Sequence, residues 1–390
     1  MSAELDAELR TDLEEEVESE HPVTPLELFF DLVFVFALTQ VTGLMSDDPT
    51  WAGIGRGLLV LAAVWWTWGA YAWLTNEIDP DEGSSRLAVL GAMAALFVAG
   101  LAVPGAFEDD GVLFGVAYFA VRAMHIVLFA EATPHVDVRQ AAFRLARTAI
   151  PAPALLVVAG FFDGAAQIAL WVLALAIDYA GPYVFGVRGF AVSAGHFAER
   201  YGLIVIIALG ESIVAIGIGA EGIELGPAAV LAAVLGVALA ASLWWAYFDV
   251  VAVVARRKLV EARGHERARL ARDAFSYLHL PLFAGIVLVA LGAKKVLEHL
   301  DAPLETVPAV ALCGGVALYL VAHDAIRLRN VGTVNRRRLV AALTSLALIP
   351  VATRVDGLVA LALVAAVCAT LIAYETLRYR EARARVRTAV

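Results

Sequence analysis

The sequence predicts an all-α, polytopic membrane protein of about twelve transmembrane helices, and three observations carry that prediction. Of the 390 residues, 61% are hydrophobic and only 17% are charged, with a mean hydropathy of +0.77. A soluble chain of this size keeps about a quarter of its residues charged. The apolar residues gather in runs of about twenty, the length one helix needs to cross the roughly 30 Å hydrocarbon core. The connections between those runs alternate between basic and acidic.

The first twenty residues hold nine acids and one arginine, a net of −8 out of the chain's −10, so the remainder is nearly neutral. This stretch reads as a solvated tail. It lacks the basic start and apolar core of a signal peptide. The turn His21-Pro22-Val23-Thr24-Pro25 then opens a first span at 25–45, which carries Glu27 and Asp31 one helical turn apart. Their spacing puts both on one face, continued by Phe34, Leu38 and Thr42. An ionisable residue inside a span costs at least about 2.5 kcal/mol, so two imply partners within a bundle or a wet cavity. Glu27 also reads as a headgroup-level residue that helps open the helix, where the dipole favours a carboxylate.

Further spans are predicted at 52–75, 86–106, 111–131, 145–162, 165–186, 198–219, 227–250, 273–293, 307–325, 338–354 and 356–375. The fifth and eleventh carry the weakest signal, being short or interrupted by Pro151 and Pro153. After even-numbered spans come Arg139, Arg144 and Arg147, then seven basic residues from Arg256 to Arg272, then Arg327, Arg329 and Arg336 to Arg338. After odd-numbered spans the connections are mostly acidic, as at Asp47-Asp48, Glu108 to Asp110 and Glu221 to Glu224. The positive-inside rule places both termini in the cytoplasm of a multi-pass plasma-membrane protein. The chain divides into an acidic tail (1–22), a first six-helix half (23–190), a second (191–376) and a basic tail (377–390). The halves echo one another: the segment at Glu27 aligns with that at Glu199, and Trp65-Trp66 with Trp244-Trp245. Parallel six-helix repeats of this kind occur in secondary transporters, with the site between them.

Three segments, TPLELFFDLVFVFALTQ at Thr24 to Gln40, ERYGLIVIIALGESIVAIG at Glu199 to Gly217 and YLHLPLFAGIVLVALG at Tyr277 to Gly292, resemble the bacterial and archaeal low temperature requirement A family. The resemblance covers nearly the whole hydrophobic chain. It implies an integral membrane protein and supplies no catalytic residues, because the family's label records a growth phenotype rather than a reaction.

Arg122 falls near mid-membrane, where a lone guanidinium is among the costliest side chains. Asp31, Asp178 and Glu211 are the available carboxylates, and His125 shares the stripe of Tyr118 and Arg122. Three acids against one arginine leave an excess, which predicts that one carboxyl holds a proton, as a proton-coupled site requires. A structural ion-pair network is the competing reading. Gly210-Glu211-Ser212 either loosens the seventh span or lets helices approach closely. Trp65, Trp66, Trp68 and Trp73 read as an interfacial belt or, more sharply, as the walls of an aromatic pocket. His279 reads as a hydrogen-bonded core residue beside a kink at Pro281. Asp249, His323 and Asp324 read as hydrated, near the cytoplasmic interface.

The run from Arg256 to Arg272 is spaced for an amphipathic surface helix drawn to anionic lipid, with no module for nucleic acid around it. Cys313 and Cys368 pack as small hydrophobes. Phosphate loops, zinc motifs and nucleophile elbows are missing, so the chain is expected to be no enzyme and to need no cofactor or metal. The expected function is a transporter or permease for an unidentified small solute or ion, coupled to protons. Its candidate pathway residues are Glu27, Asp31, Arg122, His125, Asp178, Glu211 and Ser212. The alternative is a membrane sensor or lipid-interacting scaffold, and a homo-oligomer stays open.

Overall fold

The computed structural model describes residues 22–81, 83–132, 136–220 and 226–378, and among them every regular element is helical. The acidic tail up to His21, the Glu221 to Glu224 connection and the basic tail from Tyr379 lie outside the described residues. Eleven helical stretches among the described residues are long and apolar enough to cross a membrane.

Helix α1 (Pro25–Asp47) opens on a capping box. The Glu27 N–H donates to Thr24 Oγ1 at 3.3 Å and the Thr24 N–H donates to Glu27 Oε2 at 2.9 Å. Pro25, at the first helical position, needs no donor there. Helix α2 (Trp51–Leu74) is capped by Thr50, whose Oγ1 accepts from the Gly53 N–H at 3.2 Å. Helices α3 (Gly83–Leu101) and α4 (Gly111–Ala132) follow. The fifth span is split into α5 (Val136–Ala149) and α6 (Pro151–Ala159). Pro151 and Pro153 have no N–H to return to the preceding turn, so the first piece ends there. Helix α7 (Gly164–Val184) carries Pro182 in its last turn.

Helix α8 (Ala194–Gly219) runs unbroken through Gly210-Glu211-Ser212. Helix α9 (Pro227–Ala246) continues through a π turn, Tyr247–Val251, into α10 (Ala252–Glu261). Helix α11 (Gly264–Leu270) continues through a second π turn, Ala271–Tyr277, towards α12 (His279–Glu298). The two arms are 35 residues each, about 50 Å at 1.5 Å per residue, and they overreach a bilayer core. The basic run from Arg256 to Arg272 is therefore the tip of a helical hairpin and not a separate surface helix. Much of its charge is met at once: Arg257 and Lys258 reach Glu261 at 2.9 and 2.6 Å, and Arg272 reaches Asp273 at 2.7 Å.

Helix α13 (Thr306–Val331) ends at Gly332, whose φ of 71° suits a residue without a Cβ. The eleventh predicted span is two pieces, α14 (Arg336–Ala347) and α15 (Ile349–Ala352), of 12 and 4 residues. Twelve residues make only about 18 Å of helix, so neither piece crosses alone, but the two together do. They start at Asn335, bonded to Asp324 in the last third of α13, and end at Ala352, whose carbonyl accepts from the Leu304 N–H just before α13 begins. Helix α16 (Gly357–Arg378) completes the described chain.

Bare backbone lets α12 and α13 meet. A Cβ on Gly292 would stand 2.5 Å from Leu312 Cβ, and one on Gly315 would stand 2.8 Å from Val289 N. In α8 the close-approach reading holds only for Gly219, whose Cβ would stand 3.0 Å from the Lys294 carbonyl oxygen, whereas Gly210 and Gly217 have open space beside them. Helices α1 and α8 run in the same direction, since Glu27 pairs with Arg200 and Thr39 lies beside Glu211.

Candidate functional site

Glu27 and Asp31 leave α1 on the same face because they are four residues apart, and α8 answers with His196 and Arg200 at the same spacing. Arg200 Nη1 lies 3.0 Å from Glu27 Oε1, and Arg200 Nη2 donates to Asp31 Oδ1 at 2.9 Å. His196 Nε2 lies 3.1 Å from Glu27 Oε2, and Trp68 Nε1 donates to Asp31 Oδ1 at 2.8 Å. Glu27, Asp31 and Arg200 are each at most 1% exposed. Glu27 thus fills both roles open to it, cap and buried partner. Arg200 and His196 were missing from the predicted set.

Two carboxyl groups here face one guanidinium and one imidazole. The cluster is electrically neutral only when it holds one proton beyond Arg200's own, on the imidazole or on a carboxyl. An uncompensated charge at this depth is far costlier than in water.

Helix α2 separates this cluster from a second one. Trp65 and Trp68 are fully buried and Trp66 is 7% exposed, so they form interior walls and not an interfacial belt. On the far side, Arg122 Nη2 of α4 donates to Asp178 Oδ1 of α7 at 2.8 Å. Trp66 and Tyr118 flank that carboxylate. Asp178 is therefore the partner of Arg122, while Asp31 belongs to Arg200. Arg122 is 1% exposed, and its Nε and Nη1 find no hydrogen-bond partner among the described residues. His125 stands beside Arg122 and the Ala70 carbonyl, with Phe129 at 5.0 Å between ring centroids.

A cavity of about 60 Å³ lies against Arg122 and His125, walled by Trp65, Trp66 and Trp73. Arg272, from the second π turn, lines it from the end of the bundle that carries the basic connections. Pro281 has no N–H for the turn before it, and in that turn the Ser276 carbonyl accepts from Trp65 Nε1 at 2.8 Å. The connection 185–193 covers the cavity with Gly186, Val187 and Phe190. Gly186 and Gly189 sit at φ 71° and 94°, which lets this short segment fold back on itself.

Asn76 and Glu77, just past α2, pin that cover. Asn76 Nδ2 donates to the Ala191 carbonyl at 3.1 Å, and the Ala191 N–H donates to Glu77 Oε1. Burial pushes the Glu77 carboxyl up to about 7, against the opposing pull of that hydrogen bond. A raised folded-state value means stability that is complete below about 4.5 and is lost as pH rises through about 7. Glu77→Gln keeps an acceptor for Ala191 and removes the titration. Its melting temperature should accordingly fall less between pH 5 and pH 8 than that of the parent protein. An equal fall in both would contradict the assignment.

The structure does not bring the remaining predicted residues into the cavity. Glu211 is 5% exposed, and among the described residues it forms no ion pair. Thr39 lies beside it, and Ser212 Oγ donates to the Leu209 carbonyl at 2.7 Å. His279 is the core residue expected, held between Tyr247 Oη at 2.8 Å and the Ala274 carbonyl at 2.9 Å. Asp249, His323 and Asp324 are buried, and His323 and Asp324 line an open cavity of about 840 Å³ together with Arg338 and Glu375. Arg338 reaches His323 Nδ1 at 2.9 Å and Glu375 Oε2 at 3.0 Å, and Asp324 Oδ1 accepts from the Asn335 N–H at 2.8 Å. Among the described residues no group of His, Cys, Asp or Glu is placed to hold a metal ion.

Comparison with known proteins adds a family. The family described as "Bacterial low temperature requirement A protein (LtrA)" matches residues 22–373. An uncharacterized protein of Rhizobium meliloti (strain 1021) is similar at 31% identity over 312 residues, which covers 75% of this chain and 74% of the relative.

Proposed function

This chain belongs to the bacterial low temperature requirement A family, and from that premise we propose that it is a proton-coupled transporter of a small solute or ion. The reading puts it in the plasma membrane with both termini and the basic connections in the cytoplasm.

The observation that carries the reading is the cluster of Glu27, Asp31, His196 and Arg200, which needs one extra proton to be neutral. A site whose charge balance depends on a proton changes its energy when the proton leaves, and coupling a conformational change to protons requires such a dependence. Helix α2 supplies the mechanical link. Trp68 holds Asp31 by a hydrogen bond and stacks on Trp65 at 5.1 Å between ring centroids, and Trp65, Trp66 and Trp73 line the cavity. A change in the hold on Asp31 is felt by the cavity wall through one rigid helix. Solute then passes through the cavity, which the first half lines except for Arg272 and Ser276, as its cover opens.

Proteoliposomes containing a pH-sensitive dye test this. Offered a panel of small anions and neutral solutes, the purified protein should move protons with at least one of them. Asp31→Asn leaves Glu27 to balance Arg200 without any extra proton. It should keep the melting temperature and lose solute-driven proton movement by at least tenfold. Full proton flux in Asp31→Asn, or none from the parent protein with any solute, would overturn the reading. The second outcome would favour the scaffold, whose support is the close pairing of Asp31 with Arg200.

A further inference from the structure

We propose that the open cavity bounded by the first π turn, α10, α13, α14 and α16 is a binding site for one acidic phospholipid, with its anionic headgroup at Arg327, Arg336 and Arg337. The inference goes beyond the transport reading and does not depend on it.

Charge comes first. Four arginines and two acids line the space, a surplus of two positive charges. Arg338, 5% exposed, forms the floor and is already engaged by Glu375 at 3.0 Å and His323 at 2.9 Å. The other three arginines are exposed and face the remaining acid, Asp324, which accepts from the Asn335 N–H. Arg327 gives one nitrogen, Nε, to Thr333 Oγ1 at 3.2 Å, and Arg337 lies over the Tyr374 ring at 5.2 Å. Arg336 forms no ion pair among the described residues. A guanidinium fork matches the paired oxygens of a phosphate ester, and the positive end of the α14 dipole lies at the same place. The tip of the α10–α11 hairpin differs, since Arg257 and Arg272 there already hold Glu261 and Asp273.

Charge alone suits any anion, and the walls select a lipid. Val250, Val251 and Val254 line the cavity on one side, and Val331, Val334 and Val340 on the other. Arg336, Val340 and Leu343 form one stripe of α14, at spacings of four and three. Val340 and Leu343 are 62% and 65% exposed, so the stripe looks outward. At 1.5 Å per residue they lie about 6 and 10 Å along the helix from Arg336. The headgroup layer is roughly 5–8 Å deep on each side of the hydrocarbon core. A phosphate at Arg336 therefore sets an acyl chain against both side chains. Size agrees. A buried water needs about 10–15 Å³ of such space, so the five heavy atoms of a free phosphate fill less than about a tenth of the 840 Å³. A glycerol phosphate headgroup and the start of its chains occupy far more.

Native mass spectrometry of the delipidated, detergent-purified full chain reads the adduct directly. The protein is titrated with dioleoyl phosphatidylglycerol and with dioleoyl phosphatidylcholine, which has the same chains and no net charge. The expected result is one adduct, retained at least tenfold more tightly for phosphatidylglycerol, with a matching rise in melting temperature. Arg336→Gln with Arg337→Gln changes two exposed side chains and should abolish that preference while leaving the lipid-free melting temperature unchanged. Arg256→Gln with Arg263→Gln removes the same charge from the tip of the hairpin, also at exposed side chains, and should leave the preference intact. Equal retention of the two lipids, or an equal loss in both double variants, overturns the site. Glycerol 3-phosphate, or a synthetic peptide of residues 1–20, should not displace the lipid at the lipid's own concentration. Displacement by the first would make a soluble phosphate ester the ligand, and displacement by the second the chain's own acidic tail. Either result overturns the lipid assignment.

Discussion

Arg200→Gln is expected to destabilise the detergent-purified protein by about 3–5 kcal/mol, because it strands two carboxylates at a place with almost no solvent contact. The loss is measured as the fall in melting temperature or in denaturant midpoint. Asp31→Asn in the same chain should recover more than half of it, since the remaining Glu27 keeps His196 at 3.1 Å. A double variant no more stable than Arg200→Gln would mean that the arginine and the two acids do not share a charge balance.

Arg122→Ala should cost a similar 3–5 kcal/mol, by leaving Asp178 buried without its cation. Selectivity makes the test sharp. Asp178→Asn should restore much of the loss, while Asp31→Asn and Glu211→Gln should restore none, because one belongs to Arg200 and the other forms no ion pair among the described residues. Rescue by Asp31→Asn instead would join the two clusters and remove the role of α2 as a partition.

The sequence made the spans legible because twenty apolar residues have few ways to be anything else. Pro151 and Pro153 likewise announced the break between α5 and α6 through their missing donors. The partner of Asp31 was harder to see. Arg200 lies so near the start of its span that a cation there reads as a headgroup contact. Only the matched spacing, Glu27 and Asp31 against His196 and Arg200, carried the signal. The tryptophans of α2 misled for a related reason. Position along a helix says how deep a side chain sits and not which way it faces, and Trp65 and Trp68 face the core. Asp178 was named among three candidates for Arg122 and could not be singled out, since pairing between helices depends on how they are arranged, which local pattern leaves open. The hairpin arms through Arg256 to Arg272 escaped because π turns have no sequence signature of their own.

The ion pair between Arg200 and Asp31 spans 169 residues of chain. A ribosome adding about 5–20 residues per second takes roughly 10–30 s to cover that distance. Throughout that interval α1 exists with two carboxyl groups and without the arginine that balances them. Helix α1 is therefore made well before it is electrically complete. A chain cut short between α1 and α8 would hold a helix long enough to cross the bilayer whose two carboxyl groups lack their arginine.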